Sequence, residues 1–506
     1  MDGIHFQDKT APHTIVIGGG FGGIASALRM RARGHKVTLI ERLAAVGGRA
    51  QVFERGGFRH DAGPTVITAP FLFDELFALF GEKREDVLEF RPLDPWYRFY
   101  FDATDSFFDY RPSIEDTNEE IARYNPADID GYARLIKTSK DIFDIGFSEL
   151  ADKPFTQFGS MMAQVPALLK LRSYLTVAGL VNRHIKDPQL RQAFSIHPLL
   201  VGGNPFDTTS IYALIHYLER RWGVYFCMGG TGKLVAELQA LMARQNIQIE
   251  LNTDVAEIET DKGRVVAVHS TEGKRFTADN VICNADPPTV YQQMMPSQRG
   301  KWKKALPEAV TRYSMGLYVL FFGTKTNYPD IAHHTIWMGK RYQSLLHDIF
   351  DKKILSEDFS LYLHRPTATD PSFAPDGCDS FYVLCPVPNL QGNVDWQVEG
   401  PKLRDRIIAA LNRTIMPGLS EAITDDFWMG PEDFKSDYRS MHGAGFSIAP
   451  NFTQSAWFRY HNRDPHLPNL YFAGAGAHPG AGMPGVLCSA KVVEQLVSES
   501  EMTSAG

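Results

Sequence analysis

The chain is poor in the features that mark several common protein classes. It has five cysteines in 506 residues, Cys227, Cys283, Cys378, Cys385 and Cys488, and no two form a CxxC pair. That scatter argues against a zinc ribbon or a disulfide framework and suits a reducing cytoplasm. Positive charge is not in excess: 52 Lys and Arg stand against 59 Asp and Glu, a formal net charge of -7. The basic face of a nucleic-acid binder is therefore not expected. No apolar run approaches the ~20 residues that cross a bilayer. The opening "MDGIHFQDKTAPH" has no apolar core, so no signal peptide is expected. His333–His334, and His461 with His466, lack metal-ligand spacing and are read as structural.

Glycine is plentiful, at 42 residues, and falls in clusters. Glycine loses the most backbone freedom on folding, so a cluster of them implies a close approach of backbone to something. The first cluster is "HTIVIGGGFGGIASALRMRARGHKVTLIERL". Residues 14–17 read as a short buried strand and 24–32 as a helix that Gly34 ends. Residues 36–40 read as a second strand with Glu41 at its end. Gly18, Gly20 and Gly23 fit GxGxxG between strand and helix, the βαβ dinucleotide fingerprint. The first glycine makes the tight turn, the second admits a pyrophosphate, and the third lets helix and strand pack closely. The helix N-terminus offers free N–H groups to the phosphates. Glu41 can accept from both ribose hydroxyls and would repel a 2′-phosphate. "AAVGGRA" follows, with Gly47 and Gly48 bringing a second loop near and Arg49 able to pair with a phosphate oxygen.

"GGTGK" at 229–233 is not a Walker motif, since Cys227 holds the place of the first glycine and Leu234 that of the Ser or Thr. It reads as a turn opening a helix, followed by alternating strands and hairpins. The tail "NLYFAGAGAHPGAGMPGVLCSAK" reads as a strand at 470–473 and a helix at 486–497, both stripped of side chains where they converge. That arrangement admits a flat, bulky cofactor.

The "GGR" after the fingerprint resembles the flavoproteins that include amine oxidases, protoporphyrinogen oxidases and carotenoid desaturases, in which it marks FAD. Five further stretches resemble the bacterial-type phytoene desaturases. They are "DAGPTVIT" (61–68), "LDPWYRFYF" (93–101), "HPLLVGGNPFDTTSIYALIHYLERRWGVYF" (197–226), "SLYLHRPTATDPSFAPDGCDSFYVLCPVPNL" (360–390) and the tail. The likeness covers nearly the whole chain. It departs at "CMGGTG" (227–232), where many relatives carry "PRGGTG".

The resemblance implies an α/β fold: a discontinuous Rossmann-like FAD-binding domain of the amine-oxidase/glutathione-reductase type at 11–70, 225–290 and 460–500. An α+β substrate and membrane-contact domain is inserted at 71–224 and 291–459. The implied FAD-binding set is Gly18, Gly20, Gly23, Glu41, Arg42, Gly48, Arg49, Val255, Gly474, Gly476, Met483, Gly485 and Val486. Gly474 and Gly476 are expected along the ribityl and phosphate region. Met483 to Val486 are expected to present N–H groups to the flavin carbonyls, with any side chain at 485 pointing into space the cofactor or polyene needs. The implied reaction is desaturation of phytoene, a C40 polyene, to neurosporene, lycopene or beyond. An allylic C–H gives hydride to flavin, and a neighbouring carbon loses a proton. A quinone or oxygen would take the electrons.

The catalytic residue is left unknown, with Tyr212, His216 and Glu219 as the candidates. Tyr212, His216, Glu219 and Arg220 share a helix face by spacing, and intrahelical hydrogen bonds with an ion pair are preferred to a polar cluster near the flavin. A C40 substrate requires contact with a membrane surface, on the cytoplasmic side of the inner membrane. The apolar stretch 158–181, with Lys170 and Arg172, reads equally as an interfacial helix or a core helix. "RGKWKK" at 299–304 is a weaker membrane candidate than a solvated charge run. Alternative readings are a desaturase or oxidase of a C30 diapocarotene, a flavin-dependent carotenoid isomerase, and a prenyl-lipid binder without flavin.

Overall fold

The computed structural model describes residues 11–147, 151–154, 172–295 and 310–505. Its first sheet is parallel and has five strands. In spatial order they are Leu470–Phe472, Asn280–Cys283, His13–Ile17, Lys36–Ile40 and Gln248–Glu250. Each is short and β-branched or aromatic, and the inner ones are buried on both faces, as parallel sheets require. Segments more than 400 residues apart in sequence thus meet in one sheet.

The helix between the first two strands is Phe21–Ala32. It starts three residues earlier than the apolar spacing suggests, so Gly22 and Gly23 form its first turn. It ends where Gly34 adopts φ +89°, a left-handed conformation open to glycine. Helices Gly230–Arg244 and Met483–Ala505 pack against it. The last helix is longer at both ends than the sequence suggests and begins at Met483.

The second sheet has seven strands. Their order is Ile423–Met429, Gly316–Thr324, Asp379–Val387, Leu361–His364, His334–Met338, Tyr97–Phe101 and Ser106–Tyr110. All neighbours are antiparallel except His334–Met338 with Tyr97–Phe101. The second strand in that order, "GLYVLFFGT", is buried throughout, so it shows no polar alternation. Its two faces still differ. Tyr318, Leu320 and Phe322 pack on Leu403, Ile407 and Leu411 of the helix Trp396–Arg413. Leu317, Val319 and Phe321 face the opposite way, into a cavity between the two sheets.

Asp61 ties these layers together. Its carboxylate accepts from the backbone N–H of Thr231 (2.8 Å) and Gly232 (3.3 Å), at the start of Gly230–Arg244. Burial pushes its pKa up to about 6, against the pull of the Thr231 N–H. A carboxyl pKa raised by folding makes the ionised form costly to the folded state. The cost is absent below the unfolded value of about 4 and is complete above about pH 6, reaching roughly 3 kcal/mol. Asp61→Asn is therefore expected to gain on the parent in thermal melts as pH rises from 4 to 7. A constant difference across that range would refute this account of Asp61.

The stretch 158–181 does not form one helix. Residues 158–171, including Lys170, and 299–304 lie outside the described residues. Arg172 and Tyr174 are exposed in a turn, whereas Val177–His184 is a helix whose Val177, Leu180 and Val181 join the core. The core alternative therefore holds for 177–181. Among the described residues, no helix is long and apolar enough to cross a membrane.

Candidate active site

A cavity of about 560 Å³ runs from the C-terminal edge of the parallel sheet to the inner face of the seven-stranded sheet. One end is built of backbone. Gly18, Gly20, Gly48 and Gly474 line it. A Cβ on Gly20 would sit 2.8 Å from Asn284 Nδ2, and one on Gly474 2.8 Å from Asn284 Oδ1. A Cβ on Gly48 would lie 3.0 Å from Gly20 Cα. The two glycine loops therefore meet backbone to backbone, and the Asn284 side chain after the strand Asn280–Cys283 packs against the bare backbone of Gly20 and Gly474. Gly23 does not line the cavity. Its Cβ would fall 2.0 Å from the Gly18 carbonyl oxygen, so it sets the spacing of helix on strand. Gly476 also stands off the cavity, because its Cβ direction is occupied by Pro287 at 2.4 Å. The expected lining role of Gly476 is replaced by a packing one.

The polar groups at this end are few. Glu41 is buried, with Oε2 accepting from Gly19 N–H (2.6 Å) and Oε1 from Leu43 N–H (2.8 Å). Burial pushes its carboxyl up, and those N–H groups oppose the shift. Arg42 donates to the carbonyls of Ser436 (2.5 Å) and Asp437 (2.7 Å). Arg49 donates to Ser440 Oγ (2.8 Å) and stands 3.9 Å from Asp286, while its buried Nε has no partner. Val255 completes this wall. Residues 436–440 thus reach the nucleotide end although they lie in the segment expected to cover the substrate. Arg439, ion-paired with Asp254, comes with them. The contacts of Asn284, Asp254 and Arg439 were not legible in the sequence. Only the "NADP" after the strand Asn280–Cys283 marked the place of the first.

An FAD fits these residues. Phe21–Ala32 has no acidic residue in its first turn and no side-chain cap, leaving its N–H groups and dipole free for a pyrophosphate. Arg49 Nε is a buried donor in want of an acceptor. Met483, Gly485 and Val486 bring a second helix N-terminus to the cavity. A side chain at 485, however, would point away from the cofactor space: its Cβ would meet the Gly480 carbonyl oxygen at 2.5 Å. Gly485 therefore permits a close loop contact, contrary to the expectation of a cleared reaction space.

The other end is apolar, walled by Leu199, Leu218, Leu317, Val319, Ile336 and Phe446. Tyr212 and Glu219 line it, and His216 does not. The expected intrahelical network is absent from this group. Tyr212 sits in the turn Ser210–Ala213, ahead of the helix Leu214–Trp222. His216 Nε2 bonds the Phe194 carbonyl (2.8 Å), and burial holds its pKa well below the usual value. Arg220 turns to Tyr132 Oη, the carbonyls of Arg111 and Pro112, and the faces of Trp96 and Tyr110. Glu219 is bound by Tyr97 and His197, from other elements. The residues share spacing but each is claimed by a different neighbour.

His333 and His334 are joined by His364 in a buried cluster whose ligand atoms lie within 4.8 Å of one another, a grouping that could hold a metal ion. His333 bonds Thr369 Oγ1 (2.7 Å) and His364 Nε2 (3.1 Å), and His334 bonds Tyr362 Oη (2.7 Å). Burial lowers all three, His334 to about 3, so the imidazoles are neutral at pH 7.

A βαβ nucleotide cradle that opens into an apolar cavity under a mixed seven-stranded sheet defines a flavin-binding oxidoreductase. The family model for flavin containing amine oxidoreductase matches residues 21–493. Among solved structures, cyclohexylamine oxidase from Brevibacterium oxydans IH-35A superposes with a TM-score of 0.61 at 15% identity, covering 97% of this chain and 100% of that one. Putrescine oxidase bound to putrescine gives 0.61 at 14% identity, covering 97% and 99%. These share the fold. Among curated relatives, the lycopene-forming phytoene desaturase of Pantoea ananas is 45% identical over 487 residues, 96% of this chain and 99% of the relative. The neurosporene-forming enzyme of Rhodobacter capsulatus is 37% identical over 493 residues, covering 96% and 94%. The chain belongs to the flavin-containing amine oxidoreductases, and within them to the bacterial phytoene desaturase family. It is an oxidoreductase, and its cofactor is FAD.

Proposed function

We propose that the chain desaturates phytoene to lycopene, by successive introduction of double bonds. The observation that carries this reading is the single cavity in which a nucleotide cradle passes without interruption into apolar walls. Bound FAD supplies a two-electron acceptor for hydride. The protein supplies position and dryness. Leu199, Leu218, Leu317 and Val319 hold a hydrocarbon by apolar contact and exclude water from the reacting carbons. The backbone N–H groups of Met483 and Gly485 serve the flavin carbonyls, since Pro484 has none and that of Val486 donates to the Gly482 carbonyl, and Arg49 with the Phe21–Ala32 N-terminus serves the pyrophosphate.

Expression in a phytoene-accumulating cell tests this. The spectrum of lycopene is expected; a flavin-loaded protein that leaves phytoene colourless would overturn the reading. The 45% relatives favour a C40 substrate over the C30 alternative, since the 4,4'-diapophytoene desaturase of a Methylomonas sp is 30% identical. A quinone or oxygen receives the electrons. Turnover without oxygen in quinone-supplied vesicles separates the two.

Glu41 would accept from the ribose hydroxyls, a reading supported by its buried carboxylate on the Gly19 N–H at the nucleotide end. Glu41→Ala is expected to weaken FAD roughly ten- to a hundred-fold, the worth of a hydrogen bond to a charged group. Glu41→Gln, which still accepts from one N–H, should fall between. Flavin retention through dilution and gel filtration measures both, and unchanged retention in the alanine variant would remove this role.

The protein works at a membrane surface, on the cytoplasmic face of the inner membrane. Arg172 and the 61% exposed Tyr174 support this, a cation and an amphipathic ring two positions apart in one turn. Arg172→Glu is expected to weaken co-sedimentation with anionic vesicles several-fold, about 1 kcal/mol per basic residue lost. Equal sedimentation would take Arg172 out of the contact.

A further inference from the structure

The apolar half of the cavity has one carboxylate in its wall. Glu219 lies among Ile196, Leu199, Ile215, Leu218 and Ile336, and its side chain is 1% exposed. The other acids facing the cavity serve the nucleotide end: Asp254 pairs with Arg439, Asp286 stands by Arg49, Glu41 binds the Gly19 N–H, and Asp437 accepts from Ser436 Oγ beside Arg42. Glu219 has no Arg or Lys partner among the described residues. Its Oε1 accepts from Tyr97 Oη (2.8 Å) and its Oε2 faces His197 Nε2 (2.9 Å). His197 Nδ1 is buried without a partner, and the His216 ring stands edge-on to the His197 ring at 4.2 Å.

A buried carboxylate held by one imidazole and one phenol is costly, and a leucine would suit a hydrocarbon wall better. Structural glue is the bland account: Glu219 joins the helix Leu214–Trp222 to the strand Tyr97–Phe101 and the turn His197–Val201. A positive charge developing on the substrate gives the carboxylate a purpose that glue does not require. In a dry wall its field is far less screened than in water.

We propose that Glu219 is the anionic group that opposes the positive charge forming on the polyene and takes the proton lost beside it. The proposal rests on the desaturase reading above. An allylic carbon gives up hydride, with both electrons of its C–H bond, to FAD. The adjacent carbon gives up a proton: the electrons of that C–H bond become the new π bond, and the proton forms an O–H bond on the Glu219 carboxylate. The substrate has then lost one hydride and one proton. His197 is a positioning residue that fixes the carboxylate through Oε2.

The test compares binding of a long-chain tertiary alkylammonium with that of the hydrocarbon of the same skeleton, by displacement of a fluorescent polyene from the FAD-loaded protein. The ammonium imitates the cation and needs no turnover. The parent is expected to favour the ammonium by roughly ten- to a hundred-fold. Glu219→Gln should erase that preference while flavin content and hydrocarbon binding stay the same. Reduction of the flavin by phytoene should slow by about 10²–10⁴-fold in this variant, with Glu219→Asp recovering part of it. If the single variant does not fold, Glu219→Gln with His197→Gln puts an amide pair in place of the carboxylate–imidazole contact and gives the same readout. A preference for ammonium that survives loss of the carboxylate would overturn the proposal. Pigment formation by the parent decides the desaturase reading separately.

Discussion

Gly23→Ala is expected to give a protein that holds almost no flavin and makes no coloured product. The added methyl would fall 2.0 Å from the Gly18 carbonyl oxygen, and that oxygen belongs to the tight turn that receives the pyrophosphate. Carbon and oxygen do not approach within about 3 Å, so helix and turn must separate by about 1 Å in a close-packed core. Overpacking of this kind costs about 1–3 kcal/mol in stability. The larger effect is on the site, because the helix N-terminus moves relative to Glu41 and the second glycine loop. Gly34→Ala is the matched control. Gly34 ends the same helix at φ +89°, but no atom lies within 4 Å of its added Cβ. It should lose about 1 kcal/mol from backbone strain and keep its FAD. Flavin absorbance per chain after gel filtration, beside thermal melts, reads both variants. A Gly23→Ala protein with full flavin would mean that the fingerprint's third glycine is not needed for close packing here.

The contrast between these two glycines shows how much of the molecule was legible beforehand. GxGxxG, the strand on each side and Glu41 sit within 29 residues, 13–41, and chain geometry alone carries them to one point. The tail was readable for the same reason, since its strand and helix are neighbours in sequence. What escaped was set by contacts between distant segments. Arg42 and Arg49 are met by residues 436–440, close to 400 positions away, and nothing local marks that approach. Glu219 has its spacing partners on its own helix and its real partners on two other elements. His364 joins His333 and His334 only because the strands Leu361–His364 and His334–Met338 pair, with His334 opposite His364. The strand Gly316–Thr324 is buried at every position and has no polar–apolar alternation, so a period of two could not reveal which of its faces turns to the cavity. Sequence spacing places residues on an element, and the neighbour across the fold decides what each does.

Gly485 carries that lesson to the flavin itself, and its two readings separate on side-chain size. If Gly485 cleared space for the ring or the polyene, alanine would be tolerated and valine would block the reaction in a folded, flavin-bearing protein. The structure directs the Cβ elsewhere, 2.5 Å from the carbonyl oxygen of Gly480. That carbonyl cannot retreat freely. The loop before it is braced by the buried Arg459, whose guanidinium donates to the carbonyls of Ile448, Gln454, Ala475 and Ala477. A Cβ on Gly480 would itself lie 3.4 Å from Tyr212 Oη and 3.5 Å from Arg459. Most of the clash therefore comes with the first carbon, and Gly485→Ala should do nearly as much harm as Gly485→Val. Both are expected to lose about 1–3 kcal/mol of stability, to melt several degrees lower, and to release FAD as the 474–482 loop shifts. The measurements are a melt, the flavin content and the pigment yield for each variant. A Gly485→Ala protein that melts with the parent and keeps its flavin, beside a Gly485→Val protein that is folded, yellow and inactive, would return the glycine to the role of clearing room for the reaction.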